Sequence, residues 1–393
     1  MSKTDIDGDG GAQRPVLPAN PKAEYEAFSD EVEAAIAGVL NNGRYILGPE
    51  VEAFENEFAA YHGVSHCIGV GSGTEALHLA LRAAGIGRGD AVITVSHTAV
   101  ATVAAIELAG ATPVMVDIDP DTFTMAPAAL SEVLADWEVR TKALGSPRPR
   151  AVIPVHLYGH MAAMPHIVEI ADTYGLKIIE DCAQAHGARL HERQAGTWGD
   201  MAAFSFYPTK NLGAIGDAGA LITNDDRLAA QARLVREYGW AQRYVSDIPG
   251  MNTRLDEMQA AILRVKLPQL EKWNQARREI AAKYDRGLHE AAMGKLKTPT
   301  AAAGAYHVYH QYVIRTPQRN QLRSFLADRD IIALIHYPAP VHMQPAYSNR
   351  GLTAGAELRA TEHAAQTVLS LPIHPYLRDD EAERVTEAIR KWR

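Results

Sequence analysis

Hydrophobic residues follow two alternating patterns along this chain. Short apolar runs bounded by turn residues predict buried strands. The first five of these runs are 66–73, 91–96, 112–118, 150–159 and 176–182. Between the runs, apolar residues three or four positions apart, such as Leu77, Leu81 and Ala84, predict amphipathic helices. Buried strands that alternate with helices indicate an α/β fold, with a mostly parallel sheet covered on both faces.

The pattern changes after residue 182. Two further apolar runs, at 201–207 and 218–224, are separated by only ten residues. That connection is too short for a parallel crossover with its own helix, which takes at least about a dozen residues. We therefore expect a sheet of about seven strands, in which at least one of these two strands is antiparallel or does not neighbour the other.

The C-terminal third shows a different mixture of elements. RLDEMQAAILRVKL predicts a helix that buries Met258 and Ile262 and that Pro268 kinks or ends. Strands are expected at 306–316 and 331–338, followed by an amphipathic C-terminal helix. The resulting division is a flexible arm rich in Gly, Asp and Pro over 1–20, a large domain over 21–262 and a smaller α+β domain over 263–393.

Composition narrows the possible classes of protein. The chain has 393 residues, 47% of them hydrophobic and 22% charged, as in a globular protein of roughly two or three domains. A net charge of -8 argues against binding to nucleic acid or to an anionic membrane. No apolar stretch could span a bilayer, and the N-terminus lacks the apolar segment of a secretory signal. The two cysteines, Cys67 and Cys182, cannot form a disulfide framework, so we expect reduced thiols and a cytoplasmic protein.

Several common motifs are incomplete. GVGSGT at 69–74 begins like a dinucleotide-binding turn but has Thr74 where the third glycine is required, and no P-loop sequence occurs. His156 and His160 are four residues apart but do not belong to a zinc-protease helix motif, so we assign no metal site.

The strongest chemical candidate is Lys210, in the sequence FSFYPTKNLGAIGDAGALIT. A lysine in a loop is usually solvated, but this one follows three aromatic residues and a proline and precedes three glycines. Such surroundings can bury an amine and lower its pKa from about 10.4, which is what a lysine that forms a Schiff base requires.

Two other segments fit the same chemistry. Asp181, at the end of a predicted buried strand, could form a core ion pair or could bind the protonated ring nitrogen of a pyridoxal cofactor. GSGTEAL is a glycine-rich turn that leads into a helix, and a helix N-terminus offers free backbone N–H groups to a phosphate. Together with Lys210, these segments supply the three parts of a pyridoxal phosphate site.

The chain resembles the DegT/DnrJ/EryC1/StrS family of pyridoxal phosphate-dependent sugar aminotransferases. The resemblance extends nearly from end to end through GRYILGPEVEAFE, EDCAQAHGA, FSFYPTKNLG, NTRLDEMQAAIL and IHYPAPVHMQPAY. It implies the fold-type-I aminotransferase architecture: a large domain with a mostly parallel seven-stranded sheet and a smaller C-terminal α+β domain. It also implies a homodimer whose active sites lie at the subunit interface.

The resemblance assigns roles to individual residues. Lys210 matches the lysine that binds the cofactor covalently and moves protons, and Asp181 matches the partner of the pyridine nitrogen. Gln184 matches a residue that packs on the ring or contacts its 3-hydroxyl group. The residues that match phosphate binders are Gly73, Thr74 and Ser205, with Asn252 reaching the phosphate from the neighbouring subunit.

Two positions depart from the family pattern. In SHTAVAT, Ala99 stands where the family usually has an aromatic residue stacked on the cofactor ring. We expect His97 to supply that stack instead. In GDAGA, Ala218 replaces a glycine, and a positive φ at this position would strain the backbone.

The resemblance implies transfer of an amino group from L-glutamate to C-3 or C-4 of a nucleotide-linked keto-sugar. A cyclitol ketone or an aminoshikimate-type precursor remains an alternative acceptor. Arg243, Tyr244 and Arg254 are candidate binders of an anionic substrate, although residues of this kind are also common on solvated surfaces. Two other classes of protein are considered. One is a pyridoxamine-dependent sugar dehydratase, in which the lysine is replaced by histidine, and Lys210 argues against it. The other is a non-catalytic cofactor-binding regulator, and the lack of a basic DNA-binding module argues against it.

Overall fold

The computed structural model describes residues 14–289 and 296–392, so most of the predicted N-terminal arm lies outside the described residues. The strands are β1 (His66–Val70), β2 (Asp90–Val95), β3 (Thr112–Val116), β4 (Arg148–Val152), β5 (Lys177–Asp181), β6 (Arg189–Leu190), β7 (Arg193–Gln194), β8 (Met201–Ser205), β9 (Gly219–Thr223), β10 (Trp240–Gln242), β11 (Val245–Ser246), β12 (Ala305–Tyr306), β13 (Tyr312–Arg315) and β14 (Val368–Leu371). The α-helices are α1 (Pro21–Glu26), α2 (Ser29–Asn42), α3 (Pro49–His62), α4 (Gly73–Ala83), α5 (Val100–Leu108), α6 (Pro127–Ala135), α7 (Trp137–Arg140), α8 (Met164–Tyr174), α9 (Asp226–Arg236), α10 (Glu257–Lys266), α11 (Leu270–His289), α12 (Arg319–Ala327), α13 (Arg359–Thr367) and α14 (Asp379–Lys391).

A seven-stranded sheet forms the centre of the molecule, as the apolar runs predicted. Its strand order is β1-β9-β8-β5-β4-β2-β3. Strands β8, β5, β4, β2 and β3 are parallel, whereas β9 is antiparallel to both of its neighbours. The expectation of an antiparallel strand after residue 182 is therefore confirmed. The connection from β8 to β9 is a loop, and this loop carries Lys210.

Most of the sheet is buried on both faces, which explains why most of its strands are nearly continuous apolar runs rather than alternating ones; β4, whose first three residues are exposed or half-buried, is an exception. In β8 and β9 every residue except Ser205 is buried. One face packs mainly against α4, α5 and α9, and the other against α3, α6 and α8. None of the helices in the described ranges is long and apolar enough to cross a membrane.

The C-terminal part has its own apolar core around the antiparallel pair β13–β14, packed by α11, α12 and α14. Val16 is fully buried in this core, and its backbone N–H donates to the Asp330 carbonyl at 2.7 Å, so residues 14–20 are held by the fold. The predicted boundary between residues 262 and 263 falls inside α10. The division into two domains at that point stays a prediction.

Three local predictions need correction. The expected strand at 331–338 is wrong: only isolated bridges form there, at Ile331 and Leu334. The expected strand at 306–316 is interrupted and survives as β12 and β13. Met258 is 44% exposed rather than buried, whereas Lys266 on the same helix is buried. The helix does end near Pro268, where a short 3-10 turn leads into α11.

Candidate active site

The candidate site lies at the carboxyl edge of the parallel strands, where open α/β sheets usually bind their ligands. Lys210 is in the loop that follows β8, and its backbone N–H donates to the Tyr207 carbonyl at 2.8 Å. Phe204 and Phe206 are buried in the core beneath the loop, while Tyr207 is 53% exposed. Burial lowers the pKa of Lys210 to about 8, against a smaller opposing effect of the negatively charged Asp181. This is the direction that the aromatic surroundings predicted.

The loop is fixed from below by side chains that the sequence reasoning missed. Asn211 donates from Nδ2 to Asn274 Oδ1 at 2.8 Å and to the Val308 carbonyl at 3.1 Å. Lys266, on α10, donates from Nζ to the Gly213 carbonyl at 2.8 Å. The position of Lys266 in the helical pattern could not have predicted this contact, because its partner is a backbone carbonyl more than fifty residues away in sequence.

Asp181 ends β5 with a buried carboxyl group. Its Oδ2 accepts from Thr102 Oγ1 at 2.8 Å and its Oδ1 accepts from the Ala183 N–H at 3.1 Å. Burial raises the pKa of Asp181, while these two hydrogen bonds and the positive charge of Lys210 lower it. The structure thus brings the two predicted catalytic residues into one electrostatic environment.

Gln184 is locked at both ends of its amide. Oε1 accepts from the Tyr158 backbone N–H at 2.8 Å, and Nε2 donates to the Tyr337 hydroxyl at 3.1 Å. Tyr337 belongs to the segment 335–347, which is tied to the end of β2 by a contact of 2.7 Å between Ser96 Oγ and His342 Nδ1. Burial raises the pKa of Tyr337 to about 12, so its hydroxyl keeps its proton.

The predicted phosphate binders Gly73, Thr74 and Ser205 lie together at the N-terminus of α4. A Cβ on Gly73 would approach the Ser205 Cβ to 2.6 Å, so only glycine permits this packing. Ser72 caps the helix by accepting from the Glu75 N–H at 3.2 Å. The first N–H groups of a helix have no intrahelical acceptor and point outward, so the arrangement suits an anion.

The other predicted cofactor residues differ in their surroundings. Asn252 is exposed, in a segment whose backbone pairs with Glu237. His97 is fully buried, with Nε2 2.8 Å from the Tyr158 hydroxyl and its ring 6.0 Å from the Phe123 ring. Burial lowers the pKa of His97 to about 4, so its ring is neutral. Both contacts are with protein side chains, and stacking of His97 on a cofactor stays a prediction.

The suspected strain at Ala218 is absent. Its φ is negative and the positive φ of the turn falls on Gly216, at 145°. Glycine is instead required at Gly219, where a Cβ would lie 2.4 Å from the Ser72 carbonyl carbon. The alanine at residue 218 therefore introduces no backbone strain into this loop.

Potential metal-binding side chains come together at one place in the described chain. Donor atoms of His156, Glu180 and Cys182 lie within 4.8 Å of one another. The Glu180 oxygens already accept from His156 Nε2 and from three backbone N–H groups of the turn 196–199. His156 Nδ1 accepts from the Ala162 N–H. Because the imidazole and carboxylate are satisfied by the protein, this cluster holds the fold together.

Fold and site together define a fold-type-I aminotransferase architecture, with a lysine and an aspartate at the carboxyl edge of a mostly parallel sheet. The chain belongs to the DegT/DnrJ/EryC1/StrS aminotransferase family, whose model matches residues 27–390.

Known relatives cover almost the whole chain. It is 47% identical over 382 residues to the dTDP-3-amino-3,4,6-trideoxy-alpha-D-glucose transaminase of Streptomyces venezuelae, and the match covers 97% of each protein. It is 44% identical to a protein of Geobacillus stearothermophilus named pleiotropic regulatory protein, covering 94% of this chain and 96% of that protein. The crystal structure of S. venezuelae DesV in complex with a ketimine intermediate matches with a TM-score of 0.89 and 46% identity, covering 97% of this chain and 99% of that one.

Proposed function

We propose that this protein is a pyridoxal phosphate-dependent aminotransferase that moves an amino group from L-glutamate to a nucleotide-linked keto-sugar. The observation that carries the proposal is the buried amine of Lys210 beside the Asp181 carboxyl group, in a chain of this family. The free cysteines Cys67 and Cys182 are buried, and we keep the cytoplasm as the proposed location.

The residues present fit the cofactor. Asp181 can accept a hydrogen bond from the N–H group of a protonated ring nitrogen, and Gln184 is fixed in one orientation by Tyr158 and Tyr337. Gly73 packs directly against Ser205, so the first N–H groups of α4 and the Ser205 residue lie close together and could bind one phosphate group. When bound, pyridoxal phosphate supplies an aldehyde that reacts with amines and a ring that accepts negative charge from the adjacent carbon.

Lys210 moves the proton in this scheme. With a pKa of about 8, part of its amine is neutral near neutral pH and can take a proton from the carbon that bears the donor's amino group. The same amine, once protonated, would deliver that proton to the aldehyde carbon of the cofactor, and in the second half-reaction it would move a proton in the reverse direction, to the carbonyl carbon of the acceptor. Asp181 keeps its negative charge throughout, and this charge would keep the ring nitrogen of the bound cofactor protonated.

The acceptor is proposed from the relatives. The Streptomyces venezuelae relative is named for a dTDP-linked sugar with an amino group at C-3, which supports a nucleotide-linked keto-sugar and favours C-3 over C-4. Arg243 and Tyr244 lie at the tip of the hairpin β10–β11, and Tyr244 is 73% exposed. Arg254 is 3.8 Å from Glu237. The cyclitol and aminoshikimate-type acceptors remain alternatives.

A second copy of this chain is the proposed partner. Exposed apolar side chains surround the start of α10: Met258 is 44% exposed, and Ile46 and Ile215 are similarly open. Ile46 pairs with Asp256 through the backbone, and Ile215 exchanges two hydrogen bonds with the Gln259 side chain. These contacts bring the Ile46 and Ile215 backbones next to the start of α10, and exposed apolar side chains near one another support a proposed interface between subunits.

The test uses Lys210→Gln, with Lys177→Gln as a matched control at a partly exposed lysine that pairs with Asp200. Without its base and its cofactor bond, Lys210→Gln should lose at least about a thousandfold in kcat, while Lys177→Gln stays near wild type. Borohydride reduction followed by peptide mapping should label Lys210. Turnover by Lys210→Gln, or a label elsewhere, would contradict the proposal.

A cofactor-binding regulator is the second candidate, because the Geobacillus stearothermophilus relative carries a regulatory name. An absorbance scan separates the two. An aminotransferase loses its imine band when glutamate is added and regains it with a keto acid, and a panel of dTDP-, UDP- and GDP-keto-sugars then identifies the acceptor. A band that responds to no amino donor would favour the regulator.

A further inference from the structure

Two buried threonines lie behind the Asp181 carboxylate. Thr102 is in the first turn of α5, and its Oγ1 is 2.8 Å from Asp181 Oδ2. Thr98 precedes the helix, and its Oγ1 is 3.0 Å from Thr102 Oγ1. Thr102 is 0% exposed and Thr98 is 2% exposed, so water cannot take the place of either hydroxyl.

The direction of these hydrogen bonds follows from the number of protons. A threonine hydroxyl has one proton, and an ionised carboxylate only accepts, so Thr102 donates its proton to Asp181. The contact between the two hydroxyls then leaves Thr98 as the donor and Thr102 as the acceptor. Both hydroxyl dipoles therefore point toward the carboxylate, and each strengthens the other in a dry environment.

We propose that Thr98 and Thr102 are positioning residues for amino transfer, which hold the Asp181 carboxylate ionised and in one orientation toward the cofactor ring. This inference rests on the proposed function, because a positioned carboxylate matters only if a ring nitrogen lies opposite it. The Ala183 N–H engages the other carboxylate oxygen at 3.1 Å, so Thr102 alone secures Oδ2 among the described side chains.

Other groups also act on Asp181. Lys210 from the loop after β8 and His156 from the loop after β4 favour its negative charge, and Tyr337 from the segment 335–347 faces the same region. Burial opposes the charge. Lys210 must be uncharged before it can act as a base and becomes charged when it takes the proton, so its support is intermittent. The hydroxyl relay and the Ala183 N–H do not change during the reaction, and this constancy is the reason for assigning the threonines a positioning role.

The experiment is a titration of the cofactor-free full chain by carbon NMR, with aspartate labelled at Cγ and Asp181→Asn used to identify the signal. Thr102→Val keeps the side-chain shape and removes the donor, so the midpoint of the Asp181 titration should rise by roughly one pH unit. Thr98→Val leaves the Thr102 proton in place and should give a smaller rise in the same direction. Thr102→Ser keeps the hydroxyl and should titrate like wild type.

Equal midpoints in wild type and Thr102→Val, at an unchanged Tm, would overturn the relay. If Thr102→Val does not fold, Thr98→Val and Thr102→Ser decide the matter, because a midpoint that fails to rise in the former or rises in the latter has the same meaning. Failure of the proposed function is seen separately, as a wild-type protein that transfers no amino group in the absorbance assay.

Discussion

At the scale of single residues, strand geometry gives two adjacent carboxylates different tasks. Successive side chains of a strand point to opposite faces, so Glu180 and Asp181 leave β5 in opposite directions. Glu180 accepts from His156 and from three backbone N–H groups, and it joins β5 to the turn before β8. Asp181 faces Thr102 and the Lys210 amine. Their positions in the sequence alone would not separate the structural acid, Glu180, from the proposed catalytic one, Asp181.

The depressed pKa of Lys210 predicts a pH-dependent contribution to stability. The unfolded amine titrates near 10.5 and the folded one near 8, so between these values the unfolded chain binds more protons and stability rises with pH. Below about pH 8 both states are charged, and the folded state bears the full cost of burying that charge. Relative to Lys210→Met, the cofactor-free wild type should gain on the order of 2 kcal/mol between these values.

Urea unfolding of wild type and Lys210→Met at pH 7.5, 9 and 10.5 measures this difference. Comparison with the variant cancels the other groups that titrate in the same range. A difference in unfolding free energy that is independent of pH would mean that the amine is solvated in the folded chain.

At the scale of elements, α10 connects α1 to the loop that carries Lys210. Lys266 lies 3.6 Å from Glu24 of α1 and also donates to the Gly213 carbonyl in the loop of Lys210. Burial raises the pKa of Glu24 and lowers that of Lys266, whereas their mutual attraction opposes both changes. This pair makes α1 part of the support of the active site, although α1 lies far from it in sequence.

Removal of one partner should therefore be costly. Glu24→Ala leaves the Lys266 ammonium buried without its counterion, and we expect a loss of about 3 kcal/mol in unfolding free energy. The double variant Glu24→Ala with Lys266→Met removes both charges and should be more stable than Glu24→Ala alone. Urea denaturation of the single and double variants checks this; a double variant as unstable as the sum of the singles would show that the two residues do not interact.

Element predictions succeeded where burial and sequence pattern agree. The central strands are mainly apolar, and their predicted bounds differ from the observed ones by a few residues except at β4, which ends at Val152 rather than near residue 159. The segment 331–338 has the same apolar character but is irregular. Its side chains contact Gln184 and Ser370, and its His336 carbonyl accepts a hydrogen bond from the Tyr158 hydroxyl. The prediction of the buried face of α10 was partly wrong for a related reason: Met258 is exposed, whereas tertiary contacts bury Lys266.

At the scale of the whole molecule, the proposed dimer predicts complementation between two inactive variants. If Asn252 of one subunit serves the Lys210 site of its partner, a mixed dimer of Lys210→Gln and Asn252→Ala chains has one site with both defects and one intact site. Random mixing makes half of the dimers mixed, so about a quarter of wild-type activity should return.

The measurement is amino transfer at limiting pyridoxal phosphate after the two variants are unfolded and refolded together. Each variant refolded alone is the control. Activity of the mixture equal to the mean of the two controls would place Asn252 in the same subunit as the lysine it serves, or outside the site.

The sequence by itself determined the α/β class, the order of the central strands along the chain and the antiparallel element after residue 182, and it led to the prediction of Lys210 and Asp181 as the chemical centre. These depend on local burial, connection length and short motifs, all of which are visible in one dimension. Only the tertiary structure decided that Thr102 binds Asp181, that Lys266 binds Gly213 and that Tyr337 binds Gln184. Each of these joins residues remote in the chain through a single hydrogen bond, and no periodicity records which distant atom a polar side chain will meet when the elements pack.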